Sequence, residues 1–352
     1  MSTTGFDADL VALVDDFFGS ESDAAAVEAA ERTGFPAATW AGADEIGLPR
    51  VGLPESLGGA GGSLLDAVAV LVGSGRHAVP LPMLESWLAG WVLSVAGRSL
   101  DGTVRSFTAG TARDSLEIVD GRAHGTLHRL GWGRSASQVV ALLPSGVVVL
   151  EVDGAQVRER TDLAGMPCDD LTFSGGDVAL VDVPRQSVLA RAALGRAAQL
   201  AGATEAAFEL THGYVGQREQ FGRPIGRFQA VAQHVVLLAQ AATTSMHVVE
   251  RAALALSVHD AAFEAAAAKL VASENATIAI AAAHQAHGAI GMTQEYRLQQ
   301  FTRRLMAWRA ELGSGAALAA VLGRTAAHAD SLAHLITDPA PALLDIDGAP
   351  AA

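Results

Sequence analysis

Everything after Pro184 reads as helix, and no other feature limits the possible folds as strongly. Four segments, roughly 188–216, 228–257, 261–288 and 313–335, are long, rich in alanine and free of internal proline. A proline inside any of them would remove a backbone donor and break the run. Their apolar residues recur at helical spacing and cover too much of each surface for a helix to stand alone in water. Four such helices predict a bundle.

The chain before Pro184 has two other periodicities. Residues 1–98 read as helices broken by glycine loops, with "DADLVALVDDFF" and "SLLDAVAVLVGSGRH" at helical spacing. Between them "LPRVGLPESLGGAGG" is too dense in Gly and Pro to be anything but loop. From 99 to 186 the period shortens. "SQVVALLPSGVVVLEVDG" predicts two strands around a Pro-Ser-Gly turn, "LEIVDGRAHGTL" a second hairpin, and "DVALVDVP" a half-buried strand. The expectation is an α+β fold, mostly α. It has an N-terminal helical domain at 1–98, a small middle β domain at 99–186, a C-terminal four-helix bundle at 187–340 and a tail at 341–352.

Composition narrows the function classes. A net charge of -14 opposes nucleic acid and anionic membranes, both of which select basic surfaces. No apolar run reaches the roughly 18 to 20 residues that span a bilayer, and the acidic start lacks a secretory signal's basic residues. The expected location is cytoplasmic. A single cysteine, Cys168, excludes an internal disulfide framework and a cysteine-based metal cluster. Lys269 is the only lysine, set in "EAAAAKLVASEN" as an ordinary helix residue, so a lysine Schiff base has one place to form.

The stretch "REQFGRPIGRFQ", 218–229, joins two of the helices. Gly222 and Gly226 give its turn freedom while Pro224 fixes the shape. Arg218 offers a planar fork that suits phosphate oxygens. Phe221 can lie against a flat ring, and Gln229 can reach a polar edge. The plain alternative is an ordinary connection between antiparallel helices with a solvated arginine.

"REQFGRPIGRFQAVAQ" resembles the acyl-CoA dehydrogenase pattern R-x-x-F-G-x-x-I-x-x-F-Q. "HQAHGAIGMTQEYRLQQFTRR", 284–304, is similar to that family's Q-x-x-G-G-x-G-x-x-x-E-Y stretch, and "LPRVGLPESLGGAGG" with the helix after it resembles its first helical domain. The helical–β–helical order agrees as well. The resemblance implies FAD, its ADP half held by these two C-terminal segments across a subunit interface. Arg218 would meet the pyrophosphate, with Phe221 and Gln229 beside adenine and ribose, and Gln220 and Phe228 also in the cofactor-binding set. Gln285 and the backbone of His287, Gly288 and Ala289 would line the same cofactor; Ala289 stands where relatives usually have glycine.

The resemblance also says where the chemistry should be. In the family a carboxylate removes the α-proton of an acyl-CoA while flavin accepts the β-hydride. In "WRAELGSGAAL" the ungapped alignment puts Leu312 at the position of that glutamate and Glu311 one residue early, a shift of about 100° on a helix. Glu311 is therefore either the base, in a loop of altered length, or a surface or helix-start carboxylate. The position that some relatives use instead falls on Ala192, and a helper arginine falls on Ala193, with Arg191 and Arg196 near enough for phosphate contacts. The flavin-covering loops of relatives, T-E-P-x-A-G-S-D and Trp-Ile-Thr/Ser, correspond to "SFTAGTARDSLEIVDG" and "TLHRLGWGRSAS", which keep only Trp132 as a packing residue.

Other candidates have plainer readings. His284 and His287 lack a third metal ligand; His234, His247 and His259 read as partly buried or surface residues; Asp169 and Asp170 read as solvated. With the ADP grip present and the base absent, the chain is similar to the less complete subunit of α2β2 acyl-CoA dehydrogenases in fatty acid or sterol side-chain catabolism. The partners implied are an acyl-CoA substrate, a second dehydrogenase-like chain in a heterotetramer, and an electron-transfer flavoprotein. Two alternatives stand beside it: a self-sufficient homo-oligomeric enzyme using Glu311, and a structural subunit without flavin.

Overall fold

The computed structural model describes residues 5–337; the expected tail at 341–352 and the end of the 187–340 segment lie outside the described residues. The first helices are α1 (Ala8–Glu21), α2 (Ala24–Thr33), α3 (Ala37–Glu45), α4 (Leu64–Arg76) and α5 (Met83–Val95). Side-chain caps start three of them: Asp7 for α1, Asp23 for α2, and a reciprocal Ser63–Asp66 pair for α4.

The strands are β1 (Arg105–Thr108), β2 (Glu117–Val119), β3 (Arg122–Gly131), β4 (Gln138–Leu143), β5 (Gly146–Glu151), β6 (Gln156–Arg158) and β7 (Cys168–Val181). They form one sheet in the order β1-β4-β5-β7-β3-β2, with β6 also on β7 and only the β1–β4 pair parallel. Both expected hairpins are present. Asp120 and Gly121 turn β2 into β3 with positive φ at both positions, the requirement of a tight twisted turn. Pro144 and Ser145 turn β4 into β5. "DVALVDVP" is the end of the 14-residue β7, but its alternation is lost, because Ala179 and Leu180 are both exposed, Leu180 by 71%. Its ladder to β5 holds it there instead of a buried face.

After Pro184 come α6 (Arg185–Gln217), the two-residue strands β8 (Glu219–Gln220) and β9 (Arg223–Pro224), α7 (Gln229–Val258), α8 (Ala262–His287), α9 (Leu298–Trp308), α10 (Gly315–Ala327) and α11 (Leu332–Thr337). Three of the four expected long helices appear within a few residues of their predicted ends. The fourth, 313–335, is two helices. His328 closes α10, and Ser331 restarts the chain by accepting from the His334 backbone N–H at 3.1 Å. The eleven residues of α9 were not anticipated as a helix, although Leu298, Phe301, Leu305 and Trp308 recur at helical spacing and are buried.

Helices α6, α7 and α8 pack on one another, and α10 packs on α8. Helices α4 and α5 lie against α6, so one apolar core runs through both helical layers, from Val68, Leu71 and Leu88 to Leu189, Leu194 and Leu200. The α4–α6 crossing requires small residues. A Cβ on Gly202 would lie 1.9 Å from the Val72 carbonyl oxygen, and one on Gly75 would lie 2.1 Å from that of Gln199. A second core, with Leu127, Val139, Val148, Leu171 and Phe173, fills the sheet layer. Among the described residues no helix is long and apolar enough to cross a membrane.

Candidate functional site

The C-terminal end of α6 carries the first candidate region. The Arg218 backbone N–H caps α6 on the Tyr214 carbonyl, and β8 and β9 then form a minimal hairpin around Phe221 and Gly222. Both turn residues have positive φ, 53° and 78°. That geometry is comfortable for glycine and strained for phenylalanine. The strain presents Phe221 to solvent, 90% exposed, edge-on to Phe228 at 6.0 Å, with the Arg223 guanidinium 4.3 Å from the Phe228 ring. Arg218, Gln220 and Gln229 are exposed, and Phe228 is half-buried.

The second motif meets the first through aromatic rings. His287, at the end of α8, stacks on Tyr214 at 4.5 Å and lies 4.9 Å from Tyr296, so the chain's two tyrosines both grip one imidazole. Tyr214 is one turn before Arg218, and His287 is two residues after Gln285. Both segments therefore sit at the same end of the bundle. Gln285, Gly288 and Ala289 are exposed; at Gly288, with φ 65°, nothing lies within 4 Å of a hypothetical Cβ. Burial pushes His284 and His287 below the ordinary histidine range, so both are neutral. The His287 Nδ1 bonds to the Ala283 carbonyl at 2.9 Å, and its Nε2 has no protein partner. Among the described residues no group of three metal-ligating side chains exists.

A second region forms where α5, α6, the α9–α10 turn and the ends of β3 and β7 meet. The Arg196 guanidinium is 6% exposed and bonds Glu85 and Glu311, each at 2.7 Å, while Gln199 accepts from its other nitrogen. One cation thus bridges two carboxylates. Burial works against its charge, but Glu311 and Glu85 outweigh it and hold its pKa above the usual value. Glu311 keeps 40% of its side-chain surface open, which places it at the rim of the junction. Its carboxyl is nonetheless pushed up, by burial first, against the pull of Arg196.

This arrangement narrows one expectation and corrects another. Glu311 lies half-open at the rim and before the Ser314 cap of α10, so it is a carboxylate at the surface engaged by an ion pair to Arg196, not one at a helix start. Arg196 is not free for a phosphate, because both carboxylates already hold it; Arg191 lies over the Trp91 ring at 4.0 Å. Ala192 and Ala193 are fully buried in the core. Leu312 follows Glu311 with φ 54°, and Gly313 follows with φ 104°, so the chain turns sharply at the expected base position.

The sheet side of this junction uses its polar groups internally. Asp114 accepts from the Thr111 backbone and hydroxyl and from the His128 backbone, stitching the first expected flavin-covering loop to β3. Trp132 is 6% exposed and packs with Ala164, Met166 and Phe35. Asp169 and Asp170, expected to be solvated, are 0% and 4% exposed at the start of β7. Asp169 binds the Arg134 backbone and guanidinium, and Asp170 binds the Arg129 backbone and Arg160. These bonds hold the 129–134 loop, in which Arg129 and Trp132 both have positive φ. Burial pushes the Cys168 thiol up to about 12, which leaves it inert as a nucleophile.

Lys269 also departs from expectation: it is completely buried, and burial pushes its pKa down to about 7. Sequence reasoning missed the roles of Lys269 and Glu85. The signals present were a lone lysine in an arginine-rich chain and a glutamate inside the apolar run "MLESWLAGWVL". A pocket lined by Trp40, Arg50, Leu53, Leu100 and Arg105 includes none of the expected site residues.

Residues 7–99 match the acyl-CoA dehydrogenase N-terminal domain, and residues 183–327 match the acyl-CoA dehydrogenase C-terminal domain. Acyl-CoA dehydrogenase IpdE2 of Mycobacterium tuberculosis is 30% identical over 274 residues, covering 74% of this chain and 77% of that protein. Among solved structures, a chain of the ChsE4-ChsE5 complex from Mycobacterium tuberculosis superposes with a TM-score of 0.83 at 22% identity, over 92% of this chain and 97% of that one. A chain of a variant of the Tcur3481-Tcur3483 steroid ACAD does so with 0.84 at 22% identity, over 91% and 97%.

Proposed function

The chain belongs to the acyl-CoA dehydrogenase family, oxidoreductases acting on acyl-CoA, and from that premise we propose that it is the subunit that completes a flavin site whose base is on a second, unlike chain. The observation that carries this reading is the contrast between its two candidate regions. At the ADP end, Arg218, Gln220, Phe221, Gln229 and Gln285 are exposed, and Gly288 leaves room for a close approach. These residues fit the ADP half of FAD. Arg218 would pair with the pyrophosphate, Phe221 and Phe228 would lie beside the adenine, and the Gly288–Ala289 backbone would line the phosphates.

The ring end fits poorly. Glu311 is engaged by Arg196, Leu312 has no titratable group, and Asp114 and Trp132 serve internal contacts. Bound FAD would supply the hydride acceptor, and a carboxylate of the partner would take the α-proton. This chain's share is to hold the dinucleotide end and shape the interface. The ChsE4-ChsE5 structure is by name a complex of two chains, which supports a heteromeric arrangement, and the name steroid ACAD supports a bulky acyl-CoA as substrate. An electron-transfer flavoprotein as acceptor and a cytoplasmic location complete the proposal.

One observation favours a second reading. Glu311 points into the junction with its pKa raised, as a general base near neutral pH requires. Separate and joint expression decide between the two. The first reading expects the chain alone to be colourless and inactive, and flavin and activity to appear with the partner. A yellow, active chain alone that Glu311→Gln inactivates would establish the second reading. In the joint complex, unchanged flavin content in Arg218→Ala would leave only a structural role.

A further inference from the structure

We propose that Lys269 is a positioning residue for the turn that carries Glu311, clamping it to α8 through hydrogen bonds to Ser273 and to the Arg309 carbonyl. Among 24 basic residues it is the only lysine, and it is fully buried. Its ammonium donates to the Ser273 hydroxyl at 2.8 Å and to the Arg309 carbonyl at 3.2 Å. The Arg309 guanidinium in turn donates to the Thr277 hydroxyl at 2.7 Å. Lys269, Ser273 and Thr277 recur at every fourth residue, so one stripe of α8 fixes both the backbone and the side chain of the residue that opens the turn.

From that anchor the chain runs two residues to Glu311, which reaches Arg196 on α6. Immediately afterwards Leu312 takes a positive φ. A strained turn persists only where its surroundings determine it, and here the determinants are the Lys269 clamp before Glu311 and the Arg196 bridge at it.

An arginine would not serve at this position. A guanidinium is always charged and planar, whereas an amine keeps its donors to the two oxygens whether or not it carries the extra proton. The charges acting on Lys269 are Arg196 from α6, which repels it, and Glu311 from the turn, which attracts it; neither α7 nor α10 adds another to that balance among the described residues. Together with burial they bring the ammonium to about pH 7. The charge of Lys269 therefore depends on that of Glu311: a protonated or displaced Glu311 makes the clamp neutral without releasing it. The clamp itself depends only on the observed contacts; the importance of the turn rests on reading this junction as the family's catalytic region.

The test uses the full chain and no flavin, partner or turnover, so its failure is separate from failure of the functional proposal. In hydrogen–deuterium exchange, Lys269→Met should speed exchange of the Ala310 and Glu311 amides, which bond to Ala307 and Trp308 carbonyls, about tenfold, with α8 unchanged. Ser273→Ala, a milder variant that removes one anchor, should give a two- to threefold acceleration. Unchanged turn exchange in both variants overturns the clamp. The pH-dependent rise in stability that Lys269 confers, which begins near pH 7 in the wild type, should begin at lower pH in Glu311→Gln. An onset that stays fixed overturns the coupling.

Discussion

Two arginines on one helix are used in opposite ways. Arg196 lies within α6 and Arg218 caps its C-terminal end, 22 positions and about 33 Å away. Arg218 stands at the helix end, exposed, with its guanidinium free to meet something from outside. Arg196 is 6% exposed and shared between two carboxylates of its own chain. The difference separates a group kept available for a ligand from a group consumed in holding layers together. On the proposed function, the end kept available would be the one that meets the dinucleotide.

The sharpest way to break that comparison is to remove Arg196. Arg196→Ala leaves Glu85 and Glu311 facing each other without a cation and should destabilise the chain by about 3–5 kcal/mol in denaturant unfolding. If Arg196 serves the fold alone, replacing all three members with apolar residues (Glu85→Leu, Arg196→Met, Glu311→Leu) should recover most of that loss. A triple variant as unstable as the single one would mean that the junction depends on the charges.

The next effect concerns Lys269. Its folded pKa, about 7, lies below the ordinary 10.5, so folding expels a proton between those values and stability rises with pH across that window. The burial penalty is complete below pH 7. Relative to Lys269→Met, the wild type should gain up to about 1.4 kcal/mol per pH unit between pH 7 and 10. Parallel stability profiles for the two proteins would show that Lys269 does not lose its proton on folding.

At the other end of α6 the effects should be smaller and should fall on binding. Arg218→Ala should leave unfolding within about 0.5 kcal/mol of wild type. The jointly expressed complex should lose about tenfold or more in FAD affinity, as expected for one charged hydrogen bond; a loss of stability instead would erase the contrast with Arg196. Smallest of all, Tyr214→Leu should cost about 1 kcal/mol by removing the stack on His287, with extra mobility confined to the 284–296 segment in exchange measurements.

The local signals in the sequence were reliable wherever neighbours in the chain decide the structure. Asp120-Gly121 specified its turn through φ alone, and proline-free runs specified α6, α7 and α8. The 313–335 segment misled because Asp330 and Ser331, a helix restart, sit inside an otherwise continuous apolar period. Of the two candidate regions, the sequence marked one. Its motif residues stand out because each belongs to a short local pattern, and the structure leaves Arg218, Gln220, Phe221, Gln229 and Gln285 exposed. Arg196 and Glu85 are 111 positions apart, and Lys269 answers to Arg309 forty residues on. No pattern within one helix reveals that a charge will be buried when its partner comes from another layer.

The seclusion of Lys269 has a practical side. An amine-acylating reagent finds no ε-amino target on the intact protein, yet gains one, at a known position, whenever α8 parts from the turn beside it. Acylation at Lys269 therefore reports the chain's own opening at one internal position, with no background from other lysines to subtract.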